Sequence, residues 1–475
     1  MKRRIKPWIV ILIKSIIGIF FIILSFFLYS KVKEMDVLPN KYLTLIILVL
    51  IGINVLGMLF LFLKGIVSKI ISGLIYLILL VICIVGIKYS NATIKFLNNA
   101  FSNRKEYIPY NVVVLKNSGY TKIEDLTDKK VGYLLVDNKE YIDELSKKVS
   151  VNLEPYDLYT LYVKFVDKEL DGIVISPHYL DLIEEEYNGF NDLIKTIYDY
   201  NIEILIETNN IKIKKLEPVT IYISGLDNRS YRVESTGLSD VNMLLTINPN
   251  TKTILITSIP RDYYLQLHGT TGLRDKLTHS GFYGIEMGKT SIEDLFDIKI
   301  DYTVKVGFIS VINIVDFIGG IDIYSDKSFK SNNLRDYYVH EGMNHMNGQQ
   351  ALAYAWERKA YLEGDDHRVL NQQQVFEAVF NKIITNKDML YKYDTLLKEL
   401  SNLYVTDIPK EYVTLLIKSQ INNMSSWKVI KQTVTGEAVY TNCYTIPGWD
   451  VYVKEPDMDS VKAAKEKIEE VLNKV

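Results

Sequence analysis

The chain has only two cysteines in 475 residues. Cys83 lies in an apolar run and Cys443 stands alone far downstream, so that count supports neither a disulfide framework nor a thiolate zinc site. Six histidines are scattered without metal-site spacing. The net charge is only −2 and the isoelectric point is near 6.4, so there is no global basic field and nucleic acid is not an expected partner. Arginine is also scarce. Lys and Arg total 55, only ten are Arg, and none follows Arg368.

What is abundant comes first in the chain. Three apolar runs, Ile9 to Tyr29, Tyr42 to Leu63 and Ile70 to Ile87, each reach roughly 27 to 33 Å as helices, enough to span a bilayer. The third is the shortest. The first is too long for a cleavable signal peptide and lacks a small-residue cleavage site. Lys2, Arg3, Arg4 and Lys6 precede it, which predicts a cytoplasmic N-terminus by the positive-inside rule. Three crossings put everything after Lys88 outside the cell membrane. Three lysines against two acids between Ser30 and Lys41 count mildly against that topology.

Residues 1–90 are therefore expected to be three transmembrane helices, followed by two soluble domains. In 105–215, strands at Tyr110 to Leu115 and Leu170 to Ser176 alternate with helical stretches, predicting a small α/β accessory domain. The pair IEDLTDKKVG and LDGIVI within it resembles one lobe of an extracytoplasmic solute-binding protein. Tyr156, Tyr159, Tyr162, Tyr179, Tyr187, Tyr198 and Tyr200 read as core tyrosines or as sugar-stacking faces. Pro218 ends the alternating run Ile211 to Leu216 and places the boundary.

Residues 217–475 read as a larger α/β/α three-layer domain with a mixed central sheet. Strands are expected at Val219 to Ser224, Ser239 to Pro249, Thr251 to Pro260, Tyr302 to Phe308 and around Ile321 to Ser325, and helices at Gly348 to Lys359 and Arg368 to Thr385. Seven of the ten arginines fall between Arg229 and Arg368. A chain that uses Lys elsewhere and keeps Arg for one region points to planar, forked recognition of phosphate or carboxylate. The Asp and Arg residues also cluster at strand ends, where open α/β sheets place ligands. The apolar helix carrying Phe308, Ile309, Val311, Ile312, Val315 and Ile318 reads either as core or as one edge of a lipid channel.

The ordered set GLDNR (Gly225 to Arg229), Ser239-Asp240, SIPRD (Ser258 to Asp262), DKLTHSGFYG (Asp275 to Gly284), NGQQALAYA and GDDHR through Gln372 resembles the LytR–CpsA–Psr family of Gram-positive cell-wall enzymes over most of residues 217 to 385. Several membrane spans and an accessory domain resemble its streptococcal branch. The resemblance implies a phosphotransferase that moves a glycopolymer from a polyprenyl pyrophosphate carrier onto peptidoglycan as a phosphodiester, with accompanying pyrophosphatase activity. Carrier-linked glycopolymer, peptidoglycan and membrane lipid are the implied partners. Asp227 and Asp240 are the implied ligands of Mg²⁺ or another divalent cation. Arg261, Arg358 and Arg368, with Asp365 at the spacing of the pattern, are the implied catalytic groups, and Arg229, Lys276 and Gln372 the implied substrate-binding groups; the residues themselves add Asp262 as a catalytic candidate and Arg232 as a substrate-binding one. Asp262 and Asp365 are candidates for the base or for orienting an arginine.

Three positions depart from the family pattern, with Leu238, Trp356 and Asn371 where Arg is usual. Arg232 is expected to take the place of the guanidinium missing at Leu238, and Trp356 reads either as core or as a sugar platform. The departures also leave room for a non-catalytic carrier-lipid binding or scaffold protein. A transcription regulator is the least favoured reading, because only Met1 to Trp8 and short turns would face the cytoplasm.

Overall fold

The apolar runs fold as helices α1 (Pro7–Glu34), α2 (Asn40–Phe62) and α3 (Ile66–Ala100) in a computed structural model that describes residues 6–101, 104–206, 213, 215–226, 236–385 and 404–474. All three are long and apolar enough to cross a membrane. Small residues let them approach: Ser72 Oγ donates to the Gly57 carbonyl at 2.9 Å, and Asn54 Nδ2 donates to Ser25 Oγ at 2.9 Å. The third span is not the shortest, as expected, but the longest. Its 35 residues reach about 52 Å against a hydrocarbon core of about 30 Å. The polar stretch after Lys88 continues the helix because it contains no Pro or Gly to stop it.

A five-stranded sheet follows, built from β1 (Arg104–Leu115), β2 (Lys130–Leu134), β3 (Asn152–Tyr156), β4 (Gly172–Ile175) and β5 (Ile194–Ile206) in the order β3-β2-β4-β1-β5. Helices α4 (Lys139–Ser146), α5 (Leu158–Val166) and α6 (Pro177–Glu186) connect it. β2 runs parallel to β3 and β4, whereas β1 runs antiparallel to β4 and β5. This unit is not a loose spacer. Phe165, Ile183 and Phe190 share one apolar cluster with Tyr264, Phe282, Cys443 and Val453 of the later chain. Tyr179 stacks on Phe282 at 4.5 Å, and Trp449 Nε1 donates to Tyr187 Oη at 2.9 Å. Of the tyrosines noted above, Tyr156, Tyr162, Tyr179 and Tyr187 pack in or against the shared core, Tyr198 and Tyr200 pack against the unit's other apolar cluster, and Tyr159 is exposed.

The larger sheet has the order β10-β9-β6-β7-β8-β11. Its strands are β6 (Val219–Leu226), β7 (Ser239–Asn248), β8 (Thr253–Ile259), β9 (Tyr302–Gly307), β10 (Tyr404–Thr406) and β11 (Lys428–Thr433). β9 is parallel to β6 and β11 to β8, and the other pairs are antiparallel, so the sheet is mixed. Every residue of β8 is buried because helices cover both faces. The connecting helices are α7 (Ile285–Phe296), α8 (Phe308–Phe317), α9 (Gly348–Ala355), α10 (Asp365–Thr385), α11 (Lys410–Asn422) and α12 (Met458–Asn473). On one face Leu244 and Leu255 meet Ile292 and Phe296 of α7 and Ile468 of α12. On the other, Met243 and Ile256 meet Phe376 and Phe380 of α10. This is the expected three-layer α/β/α arrangement.

Two local expectations are corrected. Ile321–Ser325 pairs with Gly342–Met346 as a side ribbon outside the main sheet. The helix expected to Lys359 stops at Ala355, where the buried Glu357 carboxylate accepts from the backbone N–H groups of Asn332 (2.8 Å) and Ala360 (3.1 Å) and holds a turn.

Helix α11 rests on the near ends of the apolar helices. Lys418 pairs with Asp36 at 2.6 Å, Lys41 Nζ donates to the Asn422 carbonyl at 3.4 Å, and Lys410 Nζ donates to Asn98 Oδ1 at 2.8 Å. The α1–α2 connection and the end of α3 thus lie on the side of the two sheets, and the start of α1 lies at the far end. Two of the three lysines that counted against this topology are engaged locally: Lys31 pairs with Glu34 at 2.7 Å, and Lys41 meets α11.

Candidate functional site

Strand register brings the central pair together. Asn242 of β7 lies opposite Ile259 of β8, and continuing that register by two residues puts Asp240 across from Arg261. Arg261 Nη1 donates to Asp240 Oδ1 at 2.8 Å, and Thr278 Oγ1 donates to the same oxygen at 3.2 Å. Arg261 Nε lies 3.6 Å from Asp262 Oδ2, and Lys276 Nζ lies 3.8 Å from Asp262 Oδ1. At the start of α10, Arg368 Nη2 pairs with Asp365 Oδ1 at 2.7 Å. The cluster lies beside the carboxyl ends of the parallel strands β6 and β9, where crevices form in α/β sheets.

The electrostatics are unbalanced. Burial works to raise the Asp240 carboxyl, but Arg261 and Arg368 outweigh it and hold it below the usual carboxylate range. Asp240 in turn raises Arg261. Burial, and next the like charge of Arg261, push Arg368 down. Arg261 Nε, Arg368 Nε and Gln372 Nε2 are buried donors without a hydrogen bond among the described residues. Gln372 stands one turn after Arg368 on the same side of α10. Such orphaned donors are costly unless a ligand completes them.

The segment around Thr278 is held by two devices. Gly281 sits where a Cβ would lie 2.1 Å from the Gly237 carbonyl oxygen, so only glycine permits this approach, and Gly237 N donates to the Gly281 carbonyl at 3.1 Å. Asp275 is fully buried, lies 2.6 Å from His279 Nδ1 and accepts from the Thr445 backbone N–H at 3.0 Å. Asp275 and His279 are thus scaffold that positions Lys276 and Thr278.

Of the residues singled out from sequence, Asp240, Arg261, Asp262 and Lys276 are joined by contacts, and the Arg368–Asp365 pair is coupled to them through charge, with Gln372 on the adjacent helical turn. Arg358 does not join it by contact: it is exposed, and no hydrogen bond or ion pair among the described residues ties it to the cluster. Asp227, Arg229 and Arg232 lie outside the described residues, and with them the expected substitution of Arg232 for the missing guanidinium. All three departures have structural occupants. Leu238 packs against the shared apolar cluster. Trp356 meets Phe308 edge-on at 4.6 Å. Asn371 is fully buried and donates to the Tyr354 carbonyl at 3.1 Å.

The apolar helix α8 is core at Phe308, Val315 and the following Ile318, all buried. A separate apolar cavity of about 210 Å³ lies under α10 and α11, lined by Leu245, Ile256, Phe376, Phe380, Leu416 and Trp427. Sequence reasoning also missed Thr278 and Lys454. Lys454 is buried, pairs with Asp366, and donates its backbone N–H to the Asp262 carbonyl at 2.7 Å. Nothing in the run VYVKEP marks that role.

For a divalent cation, the donor chemistry at Asp240 fits. One carboxylate oxygen is committed to Arg261 and Thr278, and the other receives no hydrogen bond among the described residues. Mg²⁺ is commonly held by one or two carboxylates plus phosphate oxygens.

The LytR_cpsA_psr family profile matches residues 185–467. The chain is 33% identical over 202 residues to a Bacillus mycoides protein named polyisoprenyl-teichoic acid–peptidoglycan teichoic acid transferase TagU, covering 41% of this chain and 64% of that one. It is 31% identical over 265 residues to the Bacillus licheniformis protein of the same name, covering 56% of this chain and 81% of that one. For the Bacillus mycoides relative, the match thus spans less than two thirds of that protein's length. Among solved structures, Bacillus subtilis TagV is 27% identical with a TM-score of 0.46, covering 55% of this chain and 99% of that one. Protein gbs0355 from Streptococcus agalactiae is 26% identical with a TM-score of 0.46, covering 55% and 89%. With more than half of its length matched by that profile, the chain belongs to the LytR_cpsA_psr family.

Proposed function

We propose that this protein is a membrane-anchored phosphotransferase that moves a glycopolymer from a polyprenyl pyrophosphate carrier onto peptidoglycan, on the outer side of the membrane. The observation that carries this reading is the set of orphaned donors beside Asp240: Arg261 Nε, Arg368 Nε and Gln372 Nε2. They suit a ligand rich in anionic oxygens. Charge-assisted hydrogen bonds contribute about 1.5–3 kcal/mol each, less the desolvation of the partners.

One helix links the two halves of such a donor. Arg368, Gln372, Phe376 and Phe380 recur every four residues along one side of α10. From the first to the last is about 18 Å. The polar end of this stripe belongs to the charged cluster, and its apolar end lines the 210 Å³ cavity. The opposite wall of that cavity is α11, which rests on the membrane helices. A diphosphate head and a prenyl tail entering from the bilayer match that order of environments.

In the proposed step, a sugar hydroxyl oxygen attacks the polymer-side phosphorus. The new P–O bond forms as the bridging P–O bond breaks, and polyprenyl phosphate leaves with the electron pair. Arg261 and Arg368 neutralise oxygen charge as it shifts. Asp365 orients Arg368. Asp262, between Arg261 and Lys276, is the better placed of the two acids to receive the hydroxyl proton. Asp240, together with Asp227, would hold a divalent cation, which when bound supplies further neutralisation of phosphate charge.

The test uses purified full-length protein in detergent with a carrier-linked glycopolymer and a soluble glycan acceptor. Arg261→Ala should reduce transfer roughly 10²–10³-fold. Tight binding of the carrier without turnover by the wild type would instead favour a scaffold.

A further inference from the structure

A second cavity, of about 580 Å³, lies between the five-stranded sheet and the larger domain, within the roughly 300–1,000 Å³ common for ligand sites. Tyr141 and Tyr179 line it from one side and Phe282 and Tyr283 from the other. Among the described residues, two of its lining polar groups are more than nine-tenths buried and still lack a partner. Ser176 is 5% exposed and its Oγ has no hydrogen-bond partner. It stands at the N-cap position of α6, yet its hydroxyl does not cap the helix. Glu106 is 4% exposed; one oxygen meets Lys305 Nζ at 2.8 Å, and the other has no partner. Asp137 adds another such oxygen: its Oδ1 accepts from Tyr110 Oη at 3.2 Å, and its Oδ2 is unpartnered.

The chemistry of the lining is selective. Among the described lining residues the acids are Glu106, Asp137, Glu286 and Asp407, and the one cation, Lys305, is already paired with Glu106. An anionic polymer would meet no open countercharge among the described residues here. Incomplete oxygens beside tyrosine and phenylalanine rings call for a ligand with many hydroxyl or amide donors and apolar C–H faces. The cavity also adjoins the charged cluster. Phe282 and Tyr283 close the segment that begins at Lys276 and Thr278. Thr236, on the rim, is four residues from Asp240, so their Cα atoms are at most about 14 Å apart.

We propose that this interdomain cavity is a subsite for a neutral saccharide, holding the acceptor glycan beside the transfer site. Ser176 Oγ, Glu106 Oε1 and Asp137 Oδ2 take its hydroxyl or amide protons, and Tyr141 and Tyr179 cover its faces. This rests on the transfer reading above, and it assigns the five-stranded domain the task of orienting the acceptor.

The experiment is calorimetric titration of the full-length protein in detergent with chitotetraose, a neutral N-acetylated saccharide, and in parallel with a glycerol-phosphate oligomer. Chitotetraose should bind the wild type, and Ser176→Val and Tyr141→Ala should each weaken it at least tenfold with the unfolding midpoint preserved. Two variants are used so that a folding defect in one leaves the other to decide. No binding to the wild type, or unchanged affinity in both variants, overturns the proposal. So does binding of the anionic oligomer that the same variants weaken. Saccharide binding in a protein that never transfers polymer would refute the phosphotransferase and leave the subsite standing. Transfer with unaltered saccharide affinity in both variants would do the reverse.

Discussion

Two guanidiniums share one buried cluster, and their partners do not balance. Arg261 is tied to Asp240 and flanked by Asp262, whereas Arg368 has Asp365 and the repulsion of Arg261. An added anion relieves that repulsion and fills the orphaned donors. Inorganic pyrophosphate should therefore raise the thermal unfolding midpoint of the protein, by linkage to the folded state. Arg368→Gln should lose most of that rise, and an unchanged rise would show that the anion sits elsewhere. At this scale the motif residues Asp240, Arg261 and Arg368 were legible, because a ligand site constrains residue type. Thr278 and Lys454 were not: a Thr inside DKLTHSGFYG and a Lys inside VYVKEP look like ordinary turn and strand residues.

Among the elements, the turn from Leu277–Tyr283 does the positioning. It rests on the close approach of Gly281 to the backbone at Gly237. Gly281→Ala should destabilise the protein by about 1–3 kcal/mol, the usual range for forced overpacking. It should also lower transfer beyond the loss of folded protein, since Thr278 and Lys276 ride on the same turn. Denaturant unfolding and specific activity, measured together, check both. The connection after β2 makes a different prediction. Burial pushes the Asp137 carboxyl up to about 7, with Tyr110, Tyr141 and Tyr200 around it. A raised folded value means that its contribution to stability is full below the ordinary carboxylate range and is lost as pH rises to about 7. Asp137→Asn should remove that part of the pH dependence, so the gap in unfolding midpoint between the two proteins should change between about pH 4 and pH 7 and level off above.

Across the whole molecule, the two sheets are joined by a shared apolar core and by the buried pair Glu106–Lys305, each side chain 4% exposed. Burial lowers the lysine while Glu106 acts against it. Glu106→Leu should cost about 3–5 kcal/mol by leaving that charge without its carboxylate, and Glu106→Leu combined with Lys305→Met should recover most of it. Chemical denaturation of both variants is the measurement; equal losses would mean that the cost does not come from a lysine charge left without its carboxylate.

The amino-acid sequence by itself determined the three apolar helices, the alternation of strands and helices, and the residue types of the charged cluster, because each follows from local periodicity or from a motif contained in a few residues. Only the tertiary structure decided that Asp240 faces Arg261 across a strand pair, that α10 runs from a charged end to an apolar one, that Leu238 and Trp356 pack against apolar neighbours, and that Asn371 bonds a buried carbonyl. It alone joined Lys454 to Asp262 and Glu106 to Lys305. Those contacts connect residues nearly two hundred positions apart, and no local pattern encodes which distant strand will close over which acid.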